Sequence, residues 1–103
     1  MSRRVEMPAK IASEVKSYTC DFSDLLGSET ISTQTVTATV YSGTDSNPSA
    51  IISGSASKSG SIVTQLITGG VAGVIYDVTW AITTSGGQTL KKSGYLAVVP
   101  DLV

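Results

Sequence analysis

The stretch from Gly73 to Val99, GVIYDVTWAITTSGGQTLKKSGYLAVV, decides the fold. In its first half Tyr76, Val78, Trp80 and Ile82 alternate with Asp77, Thr79, Ala81 and Thr83. Successive side chains of a strand point to opposite faces, so a period of two makes one face apolar and the other polar. TSGGQ then offers glycines where a tight connection needs positive φ. The return, Thr89 to Val99, alternates less cleanly, because Lys91 and Lys92 are adjacent and Gly94 interrupts the pattern. The reading predicts a bulge at Gly94 and a lysine pair on the surface.

The same period recurs upstream. In KSYTCDF, Tyr18, Cys20 and Phe22 share one side, and in TISTQTVTATVY, Val36, Ala38 and Val40 face away from Thr35, Thr37, Thr39 and Tyr41. Gly27 turns the chain between these two strands. SGTDSNPS is a turn by its Gly43, Asp45, Asn47 and Pro48, and AIISGSAS and SIVTQLIT read as an up-and-down pair joined near Gly60. About seven short strands with turn signals and no helical crossover make an antiparallel sandwich. Tyr76, just after the Gly-rich approach TGGVAG, has the place of a tyrosine corner, whose hydroxyl reaches back to the preceding loop. The fold class is therefore all-β, an immunoglobulin-like antiparallel sandwich with an extended N-terminal arm.

Residues 1–15 are assigned to that arm and residues 16–103 to the sandwich. The arm is mixed in charge, carries Pro8, and has Ile11 and Val15 as its apolar pair at helical spacing. It is expected to lack a core of its own and to order only against a partner.

At 103 residues the chain has room for one domain. Hydrophobic residues make up 41%, enough to offset the conformational entropy of folding. Lys and Arg number 7 against 8 Asp and Glu, a balance without the basic field that would hold a phosphate backbone, so nucleic acid is not expected as the main partner. Cys20 is the single cysteine and histidine is absent, which removes an intramolecular disulfide and the usual zinc and His-paired nucleophile sites. Arg3 and Arg4 are not followed by an apolar stretch, so no secretory signal is read, and the apolar run from Val71 to Tyr76 is too short to span a bilayer. The expectation is a protein made in the cytoplasm and not embedded in a membrane.

Candidate sites are few. Asp21 and Asp24, joined in space by Asp45, could offer carboxylate oxygens to Ca²⁺, but their spacing matches no defined loop. The bland reading makes Asp24 a turn residue and Asp21 a solvent-facing one. TGGVAG lacks the Lys-Ser/Thr and the helix of a phosphate loop. Trp80 could be a ligand platform, yet its phase with Tyr76, Val78 and Ile82 assigns it to the core. Cys20, in phase with Tyr18 and Phe22, is read as a buried small hydrophobe rather than a nucleophile. Pro48 disqualifies Asn47-Pro48-Ser49 as a glycosylation site. No catalytic, cofactor-binding or metal-binding residue is assigned, and no cofactor is expected.

SEVKSYTCDFSDLLGSETIS, VTATVYSGTDSNPSAIISGSAS, VTQLITGGVAGVIYDVTWAITTSGGQTL and SGYLAVVP together resemble a family of small immunoglobulin-like proteins of tailed-phage and prophage structural modules. The resemblance implies a non-enzymatic virion structural protein, a neck or tail adaptor joining the head-tail connector or tail to fibres. Capsid decoration and, further off, a host-surface-binding module are the alternatives. Implied partners are other virion proteins: portal or connector, tail, fibre or major capsid protein, met in multiple copies within a symmetric assembly. The sequence departs from the family's pattern at Trp80 and at Lys91-Lys92, where apolar or smaller residues are usual.

Overall fold

A computed structural model describes residues 4–100. Seven strands form two sheets: β1 (Lys10–Ile11), β2 (Val15–Asp21), β3 (Ile31–Ser42), β4 (Ile52–Ser59), β5 (Ile62–Thr68), β6 (Ile75–Thr84) and β7 (Thr89–Val99). A single helical turn, α1 (Ser23–Leu26), follows β2, and a 3₁₀ turn at Pro48–Ile51 precedes β4. One sheet runs β1-β7-β6-β3 and the other β2-β5-β4. All pairings are antiparallel except β1 with β7, which is parallel. This division of strands into two sheets agrees with the immunoglobulin-like sandwich expected from the sequence.

The core lies between the sheets and is built by the alternation that the sequence displays. Tyr76, Val78, Trp80 and Ile82 of β6 are buried, as are Tyr18, Cys20 and Phe22 from the first long strand and Val36 and Ala38 of β3. Ile51, Val63, Ile67, Leu96 and Val98 complete the apolar layer. Burying each such side chain is worth roughly 1.5–3 kcal/mol, which is what holds two Thr- and Ser-rich sheets together.

β6 and β7 pair in unbroken register from Ile75↔Ala97 to Thr83↔Thr89, so the bulge expected at Gly94 is absent. Gly94 is instead an inward position, in phase with Leu96 and Val98, and a Cβ there would meet the Val5 carbonyl and Met7 Cγ. Irregularities sit instead in the β3–β6 pairing, between Ile31 and Thr33 and between Val40 and Ser42, and in β4, where the pairing jumps from Ser53↔Leu66 to Ser57↔Thr64. Gly54, at φ +69°, makes that bulge possible. The buried Gln65 side chain fills it, donating from Nε2 to the carbonyls of Ser53 (3.0 Å), Gly54 (3.3 Å) and Leu66 (2.9 Å).

The expectation that the arm orders only against a partner is corrected on its described residues. Val5 N–H donates to the Ser93 carbonyl (2.8 Å), Lys10 pairs with Val98, and Ala12 N–H reaches the Val99 carbonyl (2.9 Å). Val5 and Met7 enter the core, and Tyr18 Oη donates to the Pro8 carbonyl (2.8 Å). Lys10 is fully buried, its Nζ donating to the carbonyls of Ile11, Ala12 and Gly69 at 2.8, 3.2 and 2.7 Å. Two apolar side chains and one lysine stem are enough to hold the arm on its own sandwich. Residues 1–3 of the arm lie outside the described residues.

Candidate interaction surface

Asp21 and Asp24 lie together around Lys92, but Asp45 is not brought to them. Asp21 accepts from Ser23 N–H (2.8 Å) and Ser61 Oγ (3.0 Å), which lowers its carboxyl below the ordinary value. Asp24 accepts from Lys92 Nζ at 2.7 Å and is held low by that bond. Asp45 lies in the β3–β4 connection, accepting from Tyr76 Oη (2.6 Å) and Asn47 N–H (2.9 Å). Among the described residues no group of three Asp, Glu, Cys or His side chains is placed to hold a cation.

Lys92 corrects the reading of an exposed lysine pair. Its side chain points inward beneath the Phe22 ring, with Nζ 5.7 Å from the ring centroid and bonded to the Asp21 carbonyl (2.8 Å) as well as to Asp24. Lys91 is the exposed member of the pair. Cys20 is 2% exposed and its thiol is pushed up to about 11 by burial, against a smaller lowering by Lys92, so at neutral pH it stays a thiol. Trp80 is wholly enclosed and offers no platform.

Tyr76 performs the corner expected of it. Val71 N–H donates to its hydroxyl (2.9 Å), and the hydroxyl proton goes to Asp45, so the Gly-rich approach and the β3–β4 connection are tied together. At the opposite end Glu29 accepts from Thr84 Oγ1 and from Gln88 Nε2 (3.1 Å), clamping the β6–β7 turn onto the start of β3. These bonds hold the Glu29 carboxyl below its usual range, the Thr84 bond contributing most.

Among the clefts on the surface of the described residues are two beside the residues discussed above. One of about 500 Å³ lies between the α1–β3 segment and the β4–β5 turn, lined by Leu26, Glu29, Ile31, Lys58 and Ser61 among others. The other, about 280 Å³, lies under the arm between Arg4, Val5 and Glu6 on one side and Thr19, Cys20, Asp21 and Lys92 on the other. In the second cleft Cys20 is a thiol at neutral pH, and Asp21 and Lys92 are engaged in structural bonds.

Val15, Ile62 and Leu66 are exposed on the β2-β5-β4 sheet, and the outer face of β3, β6 and β7 carries the exposed aromatic side chains. Tyr41 is 60% and Tyr95 37% exposed, and their rings stack at 4.2 Å between centroids, tilted by 37°. Arg4 of the arm lies over the Tyr95 ring at 4.5 Å. Asp77, half-buried on β6, sits opposite Tyr95 on one side and Thr39 on the other, and its Oδ1 is shielded from water without a hydrogen-bond donor. Alternation puts both tyrosines outward, but only the sheet order β7-β6-β3 brings them into contact, which sequence spacing does not disclose.

Among the described residues no helix is long and apolar enough to cross a membrane. No curated protein and no solved structure matches the chain. Residues 10–97, nearly the whole sandwich and the end of the arm, match the model of one family, and the chain belongs to it: the podophage GP4 fiber-tail adaptor protein gp77 family.

Proposed function

We propose that this protein is a non-enzymatic structural component of the phage particle, a rigid module that joins the head-tail connector or tail to the fibres and is present in several copies in a symmetric assembly. The observation that carries the reading is the adaptor-family match across residues 10–97, which takes in β1 to β6 whole and all but the last two residues of β7. The geometry suits it. The molecule measures 47 × 21 × 21 Å, and its acidic side chains at both ends are engaged in tying loops to the sandwich. A spacer needs that stiffness and no chemistry.

Mass spectrometry of purified particles should find the chain in fixed copy number, and a cryo-EM map should place its density in a ring at the portal vertex. Density following the capsid lattice would replace this reading with decoration, and absence from particles would sink it. The exposed Tyr41–Tyr95 pair favours one second reading, a host-surface-binding module, since stacked sugars also use aromatic faces. Binding of the isolated chain to a host glycan panel would support that alternative.

A further inference from the structure

We infer that the outer face around Tyr41, Tyr95 and Asp77 is a docking site for a basic side chain, an arginine above all, of a neighbouring protein in the particle. The inference rests on the adaptor reading and names the chemistry of its partner. Three observations converge on one spot of the sheet. The aromatic pair presents exposed ring area near one end of an outer face that further along carries Thr79, Ala81, Thr83 and the exposed Lys91. The structure already seats a guanidinium there, that of Arg4, 4.5 Å from the Tyr95 centroid. Asp77, directly across from Tyr95, contributes a half-buried carboxylate whose Oδ1 has no hydrogen-bond donor among the described residues.

Ring faces attract cations through their quadrupole, and a planar guanidinium can stack on a ring while its edge N–H groups reach a carboxylate. An ammonium satisfies the charge but not the stacking. A sugar satisfies the stacking but leaves the carboxylate without a counter-charge. The complementarity of the site is therefore to arginine first, lysine second and glycan last. Arg4 acts as a cis occupant, covering the Tyr95 ring until a partner residue shares or displaces it.

The test uses the full chain. Titration with the peptide acetyl-Arg-Gly-Arg-amide, followed by NMR, should give saturable shifts at Tyr41, Tyr95 and Asp77. The citrulline analogue should bind at least tenfold more weakly, as should the arginine peptide to Asp77→Asn, and Arg4→Ala should bind the arginine peptide several-fold more tightly. Equal response to arginine and citrulline, no saturable shift at these residues, or saturable shifts with maltohexaose instead would overturn the inference. In complementation, Asp77→Lys and Tyr95→Ala, checked by melting to be folded, should enter particles at under a tenth of the wild-type level. Thr35→Lys, which adds one positive charge elsewhere on that face, should enter normally. If wild-type chain occupies the portal vertex and Asp77→Lys enters equally well, the inference fails while the adaptor reading stands. If wild-type chain is absent from particles, the adaptor reading fails and takes this virion contact with it.

Discussion

Gly94 faces inward on β7, and the main chain of the arm passes over it so closely that any Cβ would press into the Val5 carbonyl and lie 3.3 Å from Met7 Cγ. A methyl group at this position competes with the arm, not with the β6–β7 ladder, whose register is continuous there. Gly94→Ala should therefore expel the arm from residue 4 through the short β1 strand and expose Val5, Met7 and Lys10, at a cost of about 2–4 kcal/mol. Trypsin should then cut at Lys10, which is buried in the native arm, at rates at least tenfold above wild type; an arm still protected would refute the account. Lys92 makes a second single-residue case. Its buried ammonium depends on Asp24, so Asp24→Ala should lower the melting temperature, and Lys92→Met should recover much of the loss in the Asp24→Ala background, because an apolar side chain of similar volume suits that site without a partner. Additive effects of the two substitutions in a double-mutant cycle would show that the pair is not coupled.

At the scale of elements, the strands were legible because burial follows a period of two. Tyr18, Cys20 and Phe22, Val36 and Ala38, and Tyr76 to Ile82 all face the core as their alternation requires. Three features escaped for physical reasons. Lys10 and Lys92 carry charges that composition assigns to the surface, yet each finds oxygen acceptors that tertiary packing alone supplies. The β4 bulge depends on Gln65, one strand away, reaching three carbonyls. The arm's attachment did leave a signal, since Val5 and Met7 flank Glu6 at strand spacing, but it spans too few residues to stand against Pro8 and the surrounding charges. The corner residue was legible, its aspartate partner was not. Tyr76→Phe should keep the ring in the core, leave Val71 N–H without its acceptor, and cost about 1–2 kcal/mol. Hydrogen exchange at Val71 should rise while that of Val78 changes only with global stability. Unchanged protection at Val71 would mean that the hydroxyl does not hold the loop.

Across the whole molecule, the two ends of the sandwich are fastened by carboxylates, and this makes its stability depend on pH in a defined direction. Asp45 at one end, and Glu29, Asp24 and Asp21 at the other, all have carboxyls lowered below their ordinary values, chiefly by the bonds from Tyr76, Thr84, Lys92 and Ser23 respectively. A carboxyl depressed in the folded state binds its proton less readily there than in the unfolded chain. Its contribution is therefore fully present above the unfolded value, about 3.9 for Asp and 4.3 for Glu, and is lost as pH falls through the folded one. Below about pH 4 protonation releases both fastenings and removes the counter-charge of buried Lys92, so the ends should loosen together. The melting temperature should stay nearly level from pH 7 to about 5 and fall steadily below 4. The double variant Asp45→Asn, Glu29→Gln should begin lower at pH 7, because it lacks two of these bonds to an ionised acceptor, and should fall less steeply on acidification. Melting curves of both proteins at pH 7, 5, 4, 3 and 2.5 decide the matter: if the two profiles run parallel, the low-pH loss comes from general charge repulsion and not from these carboxylates.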